Sequence, residues 1–291
     1  MRTGLNLSNS STLLDKKADP PFVAARNRRA DLFIPRIQQG VKNIFDAATA
    51  QVALFAKYEA RDPYSAELQT AVESALYTVQ KPFIFTLVSD GYTLATTQLT
   101  TKKFDRHMFK KNYDDMLEPI SGRRGDIEEW LVGTAKREAS EHAKKIKDIH
   151  EKARTYWDEK LGRGMTPAEI AHEILVKGYA YDTNYANLIS RTNTIWAMNE
   201  GAEIKYIEAG ITRERWLATD DDVRCVYCMD MDGTEIRITD VFLPEGGRIM
   251  HPEIPDRFLE TSFAVAHPPL HPYCRCCVVP VIESISIPMR G

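Results

Sequence analysis

Apolar residues recur along the first half of the chain at helical intervals. Ile34, Ile37, Val41, Ile44, Phe45, Val52 and Phe55 follow one another at steps of three, four and seven. They predict one amphipathic helix that runs up to the break at Asp62-Pro63. Leu68, Val72, Ala75, Leu76 and Val79 predict a second helix over about 65–79, which Pro82 interrupts. The stretch from Phe83 to Leu99 fits helix or strand. Ile127, Trp130, Leu131, Ala135, Ala139, Ala143, Ile146, Ile149, Ala153 and Trp157 form a narrow stripe over a long third helix, about 127–160, as in a helical hairpin or a coiled-coil seam. Its other faces carry mixed charge, among it Lys144, Lys145, Lys147 and Asp148. These read as a solvated surface, with a contact face for an oligomer or a partner as the sharper alternative.

Gly162 and Gly164 mark a boundary. Thr166, Pro167 and Glu169 spell a capping box with proline at the first helical position, and Met165 and Ile170 stand where a hydrophobic staple would. That helix is expected to end at Lys177, with Gly178 as its left-handed stop. Another follows from about Thr183 to Ala209, before Gly210. Beyond Gly210 the pattern changes to short strands at 212–219, 234–238 and 277–282. Pro280 confines the last of these to a sheet edge. The Pro- and Gly-rich stretch 243–269 reads as a long loop. The fold class expected is α+β: a largely helical N-terminal part, then a helix pair packed on a small β-sheet with a metal knuckle. Residues 1–21 read as a flexible arm, 22–163 as a helical domain, and 164–291 as a C-terminal domain that carries the knuckle.

Charge divides the chain. From Gly210 onward there are 8 Arg, no Lys and 13 Asp plus Glu, a balance of −5, against 30 basic and 28 acidic residues, +2, before it. Nucleic-acid affinity rests on Lys and Arg neutralising phosphates, so the acidic C-terminal part is a poor phosphate binder. Met1 to Pro20 lack an apolar stretch and no run approaches ~20 apolar residues, so neither a secretion signal nor a membrane span is expected.

All five cysteines lie after residue 224, an odd and clustered set that points to reduced thiols and metal. Cys225-Val226-Tyr227-Cys228 places two residues between thiols, and His271-Pro272-Tyr273-Cys274 places two between imidazole and thiol. Such spacing lets both members of a pair reach one ion from a tight turn, and two pairs complete a tetrahedron. Cys276 competes with Cys274 for the fourth place. The candidate ligands are therefore Cys225, Cys228, His271, Cys274 and Cys276, with structural zinc as the expected ion. A disulfide and plain buried thiols are the alternatives. His251 and His267, in the loop, read as exposed or as spare ligands. Asp220-Asp221-Asp222 reads as an exposed turn. No phosphate-binding glycine loop, nucleophile elbow or metalloprotease helix is present, and no catalytic or cofactor-binding residue is assigned.

Leu188-Ile189-Ser190-Arg191-Thr192-Asn193-Thr194, then Asn199-Glu200-Gly201, Glu208-Ala209-Gly210-Ile211, Trp216, the acidic triplet, Cys225, Cys228, Asp232-Gly233 and Pro269-Leu270-His271-Pro272-Tyr273-Cys274-Arg275-Cys276 together resemble the phage head morphogenesis family, the Mu F-like minor head proteins. The resemblance covers about Met165 to Ile282. It implies a minor structural protein of a tailed-phage head that acts in capsid assembly, sits at the portal or inside the shell of the virion, and is assembled in the host cytoplasm. Its implied partners are the portal and/or the major capsid protein, with a second copy of the chain and packaged DNA as further candidate contacts. Two other classes stand beside it. One is a transferase or toxin-like enzyme built around Arg191; the other is a zinc-ribbon nucleic-acid binder, which the acidic C-terminal part disfavours. Arg191 on a helix needs an acidic partner, for which Glu203, Asp220 and Asp222 are candidates, and Trp216 is expected in the core.

Overall fold

The computed structural model describes residues 20–57, 64–101, 120, 122–160, 166–219 and 225–282. Four long helices dominate: α1 (Pro20–Lys57), α2 (Ala66–Thr101), α3 (Arg124–Lys160) and α4 (Pro167–Glu208). α4 packs along both α1 and α2, α1 also packs on α2, and α3 covers α2 and α4. The stripes legible in the sequence are what the helices bury. Ile34, Ile37, Val41, Phe45 and Val52 of α1 meet Leu68, Val72 and Leu76 of α2 and Ile127, Leu131, Ala135, Ala139, Ala143, Ile146, Ile149 and Ala153 of α3 in one core. Phe55, placed on that stripe by spacing, is exposed. The arm expected over 1–21 lies outside the described residues except at Pro20 and Pro21, which are the first residues of α1. The break at Asp62-Pro63 also lies outside them.

Two expected helix breaks are not there. α2 runs through Pro82, and the stretch left between helix and strand is its second half. A proline inside a helix costs about 3 kcal/mol through its missing N–H and its ring. Ile84, Leu87, Val88, Tyr92, Ala95 and Leu99 continue the buried face beyond it, and burying them outweighs that cost. Gly178 likewise does not end a helix. α4 passes through it for 42 residues, and Gly178 is where the backbone of α4 comes against Thr49 of α1: a Cβ there would stand 2.5 Å from Thr49 Cγ2. The capping box at the start of α4 forms as expected, with Thr166 Oγ1 accepting from Glu169 N and Glu169 accepting from Thr166 N.

Past Gly210 (φ +73°) the chain enters a three-stranded antiparallel sheet of order β2-β1-β5, made of β1 (Arg213–Leu217), β2 (Glu235–Arg237) and β5 (Cys277–Pro280). β5 is an edge strand, as Pro280 requires. Alternation along β1 buries Glu214 and Trp216. Trp216 is fully buried against Phe242, ring edge to face at 5.1 Å. A short helix α5 (Val226–Met231) lies between β1 and β2. The stretch expected to be a loop holds a hairpin of β3 (Arg248–Met250) and β4 (Phe258–Glu260), strands too short for alternation to reveal them. A second core joins the sheet to Ala95 and Leu99 of α2 and to Ala202 and Tyr206 of α4. The architecture is α+β as expected, but the helix pair under the sheet is the end of α2 with the end of α4, not two consecutive short helices.

Candidate metal centre

Two turns bring the sulfur ligands together. Cys225 stands at the N-terminal cap of α5, where Met229 N donates to its carbonyl, and Cys228 follows one turn later, facing inward. In His271-Pro272-Tyr273-Cys274, Cys274 N donates to His271 O at 3.1 Å, and Tyr273 takes φ +64°. Proline second and a left-handed residue third is the grammar of a type II turn, and here it aims both flanking side chains at one point. His271 Nδ1 lies 2.7 Å from Pro272 O, which can only accept, so Nδ1 carries the proton and Nε2 turns its lone pair to Cys228 Sγ at 3.1 Å.

The ligand atoms form two overlapping groups, each within 4.8 Å: Cys225, Cys228 and His271, and Cys228, Cys274 and Cys276. Cys228 is common to both. Cys228 Sγ and Cys274 Sγ stand 3.8 Å apart and unbonded, and all five cysteines are free thiols. With zinc–sulfur bonds of ~2.3 Å, two thiolates of a tetrahedral site are separated by about 3.8 Å, so the spacing fits the ion. Hydrogen bonds with Cys228 and Cys276, with backbone support at Cys276 and Leu270, hold the Cys274 thiol well below its ordinary range; contacts with Cys274 and Cys276 push Cys228 up. A thiolate is thus favoured at Cys274 before any ion arrives. The cluster could hold a metal. Cys277, beginning β5, belongs to neither group.

The segment that carries Cys274 and Cys276 is anchored by main-chain contacts. Arg26 of α1 donates to Cys276 O at 2.7 Å and also to Arg275 O, and Thr219 Oγ1 donates to Arg275 O at 2.8 Å. Asn199 of α4 donates to Pro268 O and Cys276 O and accepts from Val278 N. Buried carbonyls must be satisfied, and here helix side chains do it.

The remaining candidates fall elsewhere. His251 is a turn residue whose Nδ1 accepts from the N–H groups of Glu253 and Ile254. His267, expected to be exposed, is buried and faces Glu200 at 3.2 Å. The expectation failed because the hairpin folds that end of the loop back onto α4. Arg191 lines a cleft with Asn27, Asp31, Cys274 and Arg275. Glu203 is not its partner: twelve residues along the same straight helix place the two about 18 Å apart. Asp220 and Asp222 lie outside the described residues.

Sequence reasoning missed two buried polar networks among the helices. Gln80 of α2 and Asn193 of α4 donate to Glu138 of α3 at 2.7 and 2.8 Å. His142 Nε2 donates to Asp182 at 2.9 Å, while Tyr64 and Thr49 close the same chain at 3.0 and 2.8 Å. Glu138 and His142 each stand beside an alanine of the α3 stripe, and a polar residue on a buried stripe was the sign available.

No helix among the described residues is long and apolar enough to cross a membrane. No curated protein and no solved structure matches the chain. Residues 138–279, just under half of the 291, match the family model described as Phage Mu protein F like protein. That stretch runs from the second half of α3 through α4, the sheet and the cysteine turns to β5. Over that stretch the chain is similar to the Phage Mu F-like proteins, which supports a place in a phage head morphogenesis family.

Proposed function

We propose that this protein is a minor structural component of a tailed-phage head, acting in capsid assembly at the portal or the inner face of the shell, with a structural zinc ion in its cysteine cluster. The family match over 138–279 carries the reading, because it spans the substructure in which α4, the sheet and both cysteine turns converge. Cys228 and Cys274 are the inner pair of zinc ligands, and two of Cys225, His271 and Cys276 complete the set. A site whose four positions are filled by Cys and His leaves none open for substrate, which makes the ion a structural clamp. It ties α5 to the turn before β5 across more than forty residues, a closure whose entropy a metal ion offsets. The α1–α4 assembly serves as the rigid body on which this module is carried, and its charged outer faces are the docking surface for portal or capsid protein.

The test is assembly of heads from portal, major capsid protein and a tagged form of this chain. The chain should sediment with the heads, resist protease added outside them, and cross-link to the portal or the inner shell. Heads that form normally and exclude the chain would overturn the assignment.

A further inference from the structure

We propose that Glu200 and Glu203 of α4, His267, and Glu214 of β1 behind them form a second metal site, separate from the thiols, for a divalent first-row transition ion. Glu200 and Glu203 are three residues apart on one helix and so share a face. Their carboxylates and the His267 imidazole present ligand atoms that all lie within 4.8 Å of one another, and all three residues are buried. No described group satisfies the carboxylates in full. Glu203 Oε2 and both oxygens of Glu214 have no hydrogen-bond partner, although Glu214 is only 1% exposed. A buried carboxylate without a donor is expensive and rare, and a cation is the group that would satisfy several at once.

The imidazole supports the same reading. His267 Nδ1 lies 2.7 Å from Pro268 O, as His271 Nδ1 lies 2.7 Å from Pro272 O. In each case a His-Pro pair fixes Nδ1 on the following carbonyl and turns Nε2 into a cluster, the orientation that metal-bound histidines take from their second contact. Without an ion, Nε2–H is directed at Glu200; a bound ion replaces that one proton. Arg123, half exposed, stands 3.5 Å from Glu200 Oε1, so its side chain lies on the solvent side of the cluster. Oxygen and nitrogen donors without sulfur favour harder ions than the thiol cluster does, from manganese to zinc.

The full-length protein, given one equivalent of zinc for the thiols, is titrated with Mn²⁺, and free Mn²⁺ is read by electron paramagnetic resonance. One Mn²⁺ should bind per chain, and Glu203→Gln or His267→Gln should each weaken it tenfold or more. Glu203→Gln keeps the side-chain shape and removes an unpaired charge. Without Mn²⁺ it should therefore melt no lower than the natural sequence, and with Mn²⁺ the order should reverse. Folded protein that takes up no Mn²⁺, or uptake unchanged in both variants, overturns the proposal. Zinc retained by the thiols while Mn²⁺ is refused overturns this site and leaves the cysteine cluster standing.

Discussion

Arg26 and Cys276 are 250 residues apart, and the guanidinium of the first donates to the carbonyl of the second at 2.7 Å in a buried environment. The first helix is thereby tied to the cysteine turn, since the same group also donates to Arg275 O. Replacing Arg26 with Met should remove about 1.5–3 kcal/mol of stability, the range for hydrogen bonds made by a charged donor. Lys should not rescue it, because one ammonium on a flexible stem does not reproduce the planar fork. Denaturant titration gives the energy, and the rate at which Cys274 and Cys276 react with a thiol reagent should rise with it. Unchanged stability and thiol rates in both variants would contradict the tie.

Cys228 belongs to both ligand groups and Cys277 to neither. Cys228→Ser should therefore abolish zinc binding at the thiols, whereas Cys277→Ser, equally buried, should keep it, a difference of about one ion per chain between the two variants. Elemental analysis of the two purified variants reads this directly. A chelator should act on the unmodified protein in the same way: near-ultraviolet signals from Trp216 should fade, while the far-ultraviolet helical signal of α1–α4 persists. Metal retained in Cys228→Ser at the level of Cys277→Ser would remove the thiol cluster as the binding site.

The cysteine turns are legible in the sequence because the spacing of candidate ligands is local chemistry: two residues between donors is a property of a turn. The helical stripes were legible for a similar reason, since Ile127 through Ala153 repeat at the helix period. What failed was punctuation. Pro82 and Gly178 read as stops, yet a helix flanked by partners on two sides gains more from continuing than either residue costs. The burial of His267 was not legible, because it depends on where a hairpin of three-residue strands returns the chain, and that is set by tertiary packing. The Arg26 tie joins the two ends of the chain and has no sequence signature.

Glu138 is held up to about 7 by burial, opposed by the hydrogen bonds from Asn193 and Gln80, against an ordinary value of 4.5. A raised folded value means that the protonated form is the one the fold favours. Its contribution is complete below pH 4.5 and is lost as pH rises through about 7, up to about 3 kcal/mol in all. Glu138→Gln should remove this loss. Stability measured at pH 5 and pH 8 should fall less in the variant than in the natural sequence; parallel pH profiles would refute the assignment.

Gly91 of α2 and Gly201 of α4 face each other's helices at backbone contact. A Cβ on Gly201 would stand 1.9 Å from Val88 O, and one on Gly91 would stand 2.1 Å from Met198 O. Neither obstacle is a side chain that can swing away, so alanine at either position must push the two helices apart. The same crossing positions Ala95 and Leu99 beneath the sheet with Ala202 and Tyr206, so separation should loosen the second core as well as the first. Overpacking of this kind costs about 1–3 kcal/mol, and more where backbone must move. Gly201→Ala and Gly91→Ala should each fall at or above the top of that range. The double variant should cost clearly less than their sum, because one displacement relieves both clashes. Gly133→Ala is the control: its Cβ would meet only Arg137 Nη1, at 3.6 Å, and alanine in a helix should stabilise by up to about 1 kcal/mol. Thermal or denaturant midpoints of the four variants, each against the natural sequence, decide the matter. Full additivity of Gly91→Ala and Gly201→Ala would mean that the two contacts are independent and that α2 and α4 do not move as one crossing.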